Sequence, residues 1–190
     1  MSEQYKYFIE AQESVYDKFR AITEQMARGQ GNGIERDPGT DPQGAFLVAW
    51  RHPEKTTSLI EEFSLEAADL ISAVTYDQKN AHTTVSDYGL KPNVVINPAY
   101  EEAAETLTTL TQAVRNALNI SGKDVISGLG VEFKDTPTNG KTIIAAGIPT
   151  ESIVQINQQI KDESAALGIP LKGTWGSHTT INRFLEDKVS

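Results

Sequence analysis

The sequence predicts an α+β chain made of two related lobes, and three observations carry that prediction. Short apolar runs with strand character alternate with segments that repeat apolar residues at helical steps. A strand–proline–helix unit is written twice, once as "AFLVAWRHP" and once as "TIIAAGIP". A four-residue phrase, His-Thr-Thr followed by Val or Ile, is also written twice, in "AHTTVSDY" and "SHTTINRF". Spacing ties the last two together. Pro53 stands 29 residues before His82 (82 − 53), and Pro149 stands 29 before His178 (178 − 149). Two halves with one plan and one offset read as an internal repeat, with the phrase as one functional strand present once per lobe.

Residues 4 to 28 read as a helix, because Phe8, Val15, Phe19, Ile22 and Met26 fall on one face. The stretch "GQGNG", Gly29 to Gly33, breaks it, and Arg36 to Gly44 is turn chemistry throughout. A phosphate-cradling loop follows a strand and opens a helix; this one follows a helix and precedes a loop, so it reads as a connector. Ala45 to Trp50 is expected to be a short buried strand. Pro53 then opens a helix with Leu59, Ile60 and Phe63 inward. Leu70 to Tyr76 reads as a further strand, and the first phrase lies in the strand after it.

Asn97 caps the next helix and Pro98 opens it, with Ala103, Leu107, Leu110, Val114 and Ala117 at helical steps. Asp124 to Lys134 and Lys141 to Gly147 read as strands joined by the turn "DTPTNG". The last helix runs from Pro149 to Leu167, with Ile153, Ile156, Ile160 and Leu167 inward, and stops at Gly168. The second phrase forms the last strand. Residues 1–44 thus read as an N-terminal helix and connector, and 45–190 as one bilobal domain.

A chain of 190 residues can bury one sizeable core. No apolar run approaches the ~20 residues of a membrane span. The start, "MSEQYKYFIEAQE", lacks the basic and apolar regions of a signal peptide, and the absence of cysteine removes disulfide and thiolate chemistry. A cytoplasmic protein, expected to be a monomer with no membrane partner, is the simplest reading. The net charge is −9, with Lys and Arg scattered among acids. A protein that tracks a long phosphate backbone carries a basic stripe, and none is visible. Any phosphate substrate is expected to be small, or the end of a chain, rather than a long duplex.

The repeated phrase carries the chemistry. In a strand, residues two apart share a face, so His82 projects with Thr84 and His178 with Thr180. Two lobes related by a pseudo-twofold would bring the two pairs face to face. Histidine titrates near neutral pH, so one ring can take a proton while the other gives one. The threonine hydroxyls can donate to non-bridging phosphate oxygens. Neither a metal nor another cofactor is required. His52, at a loop-to-helix junction, is assigned no role.

Two His-x-Thr phrases on strands, one lobe-length apart, resemble the signature of the two-histidine (2H) phosphoesterase superfamily, which includes 2′,5′ RNA ligase-like proteins and cyclic nucleotide phosphodiesterases. The resemblance covers Ala45 to about Leu185, and Asn80, Gly89 and Arg183 match further family choices. "VSDYGL" stands where a Leu-rich continuation is usual. The resemblance implies two antiparallel sheets lining a central cleft with helices outside, to which this chain adds its N-terminal helix. It also implies metal-independent chemistry on a 2′,3′-cyclic phosphate or a 2′–5′ linkage of a nucleotide, a cyclic-phosphate metabolite or an RNA end. His82 and His178 would then divide the acid and base roles, and Thr84 and Thr180 would hold the phosphate. Tyr88, Trp175 and Arg183 are candidate substrate contacts. Tyr88 shares strand parity with His82 and could stack on a base. Arg183 has the opposite parity to His178 unless the strand bulges.

Two other readings compete. The same cleft could bind a nucleotide or cyclic phosphate without turning it over. Two histidines could also hold zinc, but no His-Glu-x-x-His phrase occurs, and threonine is a poor zinc ligand.

Overall fold

The computed structural model describes residues 1–30, 46–70, 73–75, 79, 81–88, 101–169, 171–173 and 176–184. In chain order the elements are α1 (Glu3–Ala27), β1 (Phe46–Arg51), α2 (Glu54–Leu70), β2 (Ala73–Thr75), β3 (His82–Tyr88), α3 (Glu101–Ser127), β4 (Val131–Asp135), β5 (Thr142–Pro149), α4 (Glu151–Ala166), β6 (Lys172–Gly173) and β7 (Ser177–Phe184). One sheet has the order β1-β3-β6 and the other β2-β7-β5-β4, and every ladder is antiparallel. The predicted α+β bilobal architecture is therefore present.

The repeat has a particular topology. Strand β1, helix α2, strand β2 and strand β3 correspond in order to β5, α4, β6 and β7. Strand β2 leaves its own lobe to pair with β7, and β6 leaves its own to pair with β3. Each lobe thus lends a short strand to the other's motif strand. The helices follow suit: α4 packs on β3, and α2 packs on β7.

Both motif strands carry a bulge at the same place. Between Val48 and Ala49 the partner jumps from Ser86 to Thr84, leaving Val85 extra. Between Ile143 and Ile144 it jumps from Asn182 to Thr180, leaving Ile181 extra. A bulge turns two successive residues to one face, and both pairs, Val85–Ser86 and Ile181–Asn182, are buried. A side chain meets each bulge. Asn157 of α4 donates its Nδ2 to the Val85 carbonyl and to Ser86 Oγ. Ser64 of α2 donates to the Ile181 carbonyl at 3.0 Å and accepts from Asn182 Nδ2 at 3.1 Å.

Several sequence expectations need correction. In α2 only Ile60 of the expected inner trio is buried; Leu59 and Phe63 are 59% and 40% exposed, and Thr57 and Ser64 take the inner face. Periodicity places a stripe only to within one residue, and here Ser64 is drawn in by its hydrogen bond to β7. Residues 124–127 are helical rather than extended: α3 continues past Gly122, which interrupts it at φ +75°, and β4 starts only at Val131. Leu107 and Leu167 are exposed, while Leu110, Ala117, Ile153, Ile156 and Ile160 are buried as expected. Leu70 ends α2 instead of opening β2. In α1 the most buried side chains are the polar Gln12 and Tyr16, not the predicted apolar set. The predicted cap at Asn97 and Pro98 and the stretch Gly31 to Gly44 lie outside the described residues.

Candidate active site

The two short lent strands determine how the phrases meet. Strand β6 pairs only with Ser86 and Asp87 of β3, and β2 only with Asn182 to Phe184 of β7. Among the described residues, the starts of both motif strands therefore have a ladder partner on one edge only. There β3 and β7 lie against each other.

Beneath this junction the middle residues of the two phrases touch. Thr83 and Thr179 are buried, with their hydroxyl oxygens 3.2 Å apart. The Nε2 of His52 reaches both, at 2.8 Å from Thr179 and 3.1 Å from Thr83. Its ring stands edge-on to Trp50 and Phe133, with centroids 5.1 and 5.3 Å away. Burial, with the nearby His82 as a smaller cause, pushes His52 down to about 4, so it is neutral at physiological pH. One neutral ring thus clasps the two motif strands at the pseudo-twofold. The sequence held one sign of this: Val48, Trp50 and His52 alternate, which puts the histidine on the apolar face of β1.

The outer residues of each phrase face the other way. His82, Thr84, His178 and Thr180 are all half-buried. His82 lowers the pKa of His178 through space, so the two rings lie within electrostatic reach. His178 is pushed down to about 4, first by burial, against the opposing pull of the Gly176 carbonyl, with His82 adding to the fall. The Nδ1 of His178 lies 3.3 Å from that carbonyl. A carbonyl only accepts, so Nδ1 carries the proton and Nε2 keeps its lone pair.

Register identifies the neighbours on this face. Arg51 pairs with His82, and Ala49 with Thr84. Paired residues share a face, so the exposed Arg51, not singled out from sequence, stands beside His82. On β7 the bulge gives Arg183 the parity it needed. Arg183 pairs with Thr142, two residues before the Ile144 that pairs with Thr180, and it is exposed on that same side. On β3 the equivalent bulge lies between Thr84 and Tyr88, so the parity that linked Tyr88 to His82 does not carry through; its backbone pairs with Phe46, and its side chain lies outside the described residues. Trp175, Asn80 and Gly89 also lie outside them.

Among the described residues no group of three or more His, Asp or Glu side chains is placed to hold a metal ion, and no helix is long and apolar enough to cross a membrane. No family model and no curated protein matches the chain in sequence. A solved structure does match in shape: the MHV ns2 PDE domain superposes with a TM-score of 0.54 at 11% identity, over 75% of this chain and 84% of that one. Two lobes, two antiparallel sheets and two adjacent His-x-Thr strands thus make up a fold that the chain shares with that PDE domain.

Proposed function

We propose that the chain is a phosphodiesterase that acts on a 2′,3′-cyclic phosphate or a 2′–5′ phosphodiester of a nucleotide, cyclic-phosphate metabolite or RNA end. The observation that carries this reading is the juxtaposition of two His-x-Thr strands, which sets His82 within electrostatic reach of His178. The likeness in fold to a PDE domain supports it.

The lobes are not equivalent, and the asymmetry divides the labour. His178, neutral and protonated on Nδ1, keeps its lone pair on Nε2 and serves as general base toward the attacking hydroxyl or water. His82 takes the complementary role and delivers a proton to the leaving oxygen. Thr84 and Thr180 donate to the non-bridging oxygens, where charge grows in the transition state. Arg51 and Arg183 lie on the same face and balance the phosphate charge in a chain whose net charge is −9. Turnover of a panel of 2′,3′-cyclic nucleotides, 2′–5′ dinucleotides and ADP-ribose cyclic phosphate, with and without chelator, tests the proposal. Binding without turnover across the panel would replace it with a non-catalytic binding module.

A further inference from the structure

Helix α1 makes its buried polar contacts on the residues that lead into the second histidine. Gln12 accepts from the Ser177 amide at 3.1 Å and donates to the Gly147 carbonyl at 3.2 Å. Tyr16 donates its hydroxyl to the Ser177 carbonyl at 2.8 Å. Both side chains are essentially sealed from solvent, at 0% and 1% exposure. Gly176 packs so closely beneath them that a Cβ there would lie 3.1 Å from the Tyr16 hydroxyl and 3.3 Å from Gln12 Cβ. The carbonyl of that same Gly176 receives Nδ1 of His178.

Register shows which face the helix covers. Ala146 pairs with His178 and Ile144 with Thr180, so all four share a face. Ile144 and Ala146 are buried against Tyr16 and Phe19. Helix α1 therefore lies on the His178 face of its sheet, next to the phrase. In the other lobe the corresponding partners, Ala49 and Arg51, are exposed. Among the described residues, the buried polar contacts of the helix fall beside one histidine of the pseudo-symmetric pair.

We infer that Gln12 and Tyr16 are positioning residues of the active site: they fix the Gly176–Ser177 backbone and, through the Gly176 carbonyl, the orientation and tautomer of the His178 ring. The inference rests on His178 being a reacting group, as proposed above. A buried polar side chain left without a partner is costly. Here that cost locks the helix to the strand in one register, so the imidazole is held before substrate arrives. A small displacement of a positioned base has large kinetic consequences.

The test uses the full chain with Tyr16→Phe and Gln12→Leu, singly and together. Imidazole 15N spectra report the tautomer of each histidine without reference to activity, and steady-state kinetics on the panel report kcat and KM separately. The double variant is expected to lose the single Nδ1–H tautomer of His178 and to lower kcat about 10- to 100-fold, with KM changed less than about twofold. Tyr16→Phe keeps the ring and removes only the hydroxyl, so it carries the test if Gln12→Leu does not fold. An unchanged His178 tautomer in the folded variants overturns the inference, whether or not kcat falls. If the wild-type chain turns over nothing in the panel, the proposed activity fails, while the ring spectra still decide whether α1 positions His178.

Discussion

At neutral pH burial keeps His52 and His178 uncharged, each pushed down to about 4. In the unfolded chain both titrate near 6.5, so between those values the unfolded state binds more protons than the folded one. Stability is therefore full above about pH 6.5 and is lost as the pH falls toward 4. For His52, 8% exposed, the loss amounts to at most about 3 kcal/mol. Denaturant midpoints measured from pH 7.5 to 4.5 should fall accordingly. Replacing the ring by glutamine, His52→Gln, should lower stability at pH 7 by about 1–3 kcal/mol, because it disturbs two buried hydroxyls. It should also flatten the acid-side slope. A slope as steep as wild type would show that His52 does not titrate between those states. The candidate residues of each phrase were legible because the phrase is written twice. His52 was not: a clasp on a pseudo-twofold needs only one copy, and a residue that occurs once leaves no repeat to read.

The elements show where periodicity succeeds and where it stops. In α4 the spacing of Ile153, Ile156 and Ile160 selected the buried face, which they share with the polar Asn157 and Ser164. In α2 the inner positions go to Thr57, Ile60 and Ser64, since Ser64 reaches the Ile181 carbonyl exposed by the bulge. Ile60→Ala should accordingly destabilise the fold by about 2–5 kcal/mol. Leu59→Ala, at a position 59% exposed, should change stability by no more than about 0.5 kcal/mol. Thermal or denaturant unfolding of the two variants distinguishes this face from the one the apolar pattern suggested. The bulges themselves were invisible in sequence: alternation assumes two residues per repeat, and one extra residue reverses every parity beyond it. That reversal is what brings Arg183 to the His178 face. Its substitution, Arg183→Gln, should raise KM for an anionic substrate with less effect on kcat, as expected for a charge that binds ground and transition states alike.

At the scale of the whole molecule, an exchange of short strands joins two similar halves. Neither half has both histidines, and neither motif strand is fully paired by its own lobe. Rate should depend on pH in a bell shape whose limbs belong to the coupled pair of rings rather than to one of them. Thr84→Ala and Thr180→Ala should each cost less than loss of either ring, since they remove one neutral donor and leave the proton transfers intact. The most direct test of the paired site is the turnover rate, on whichever panel compound the wild type accepts, of His82→Ala, His178→Ala and the double variant, each verified as folded. General acid–base catalysis is typically worth about 10²–10⁴-fold per group. Each single variant should fall by that amount, and the double should be little slower than either, because the two rings act as a unit. Near-wild-type turnover in either single variant would contradict a shared site and would make the repeated phrase a feature of folding alone.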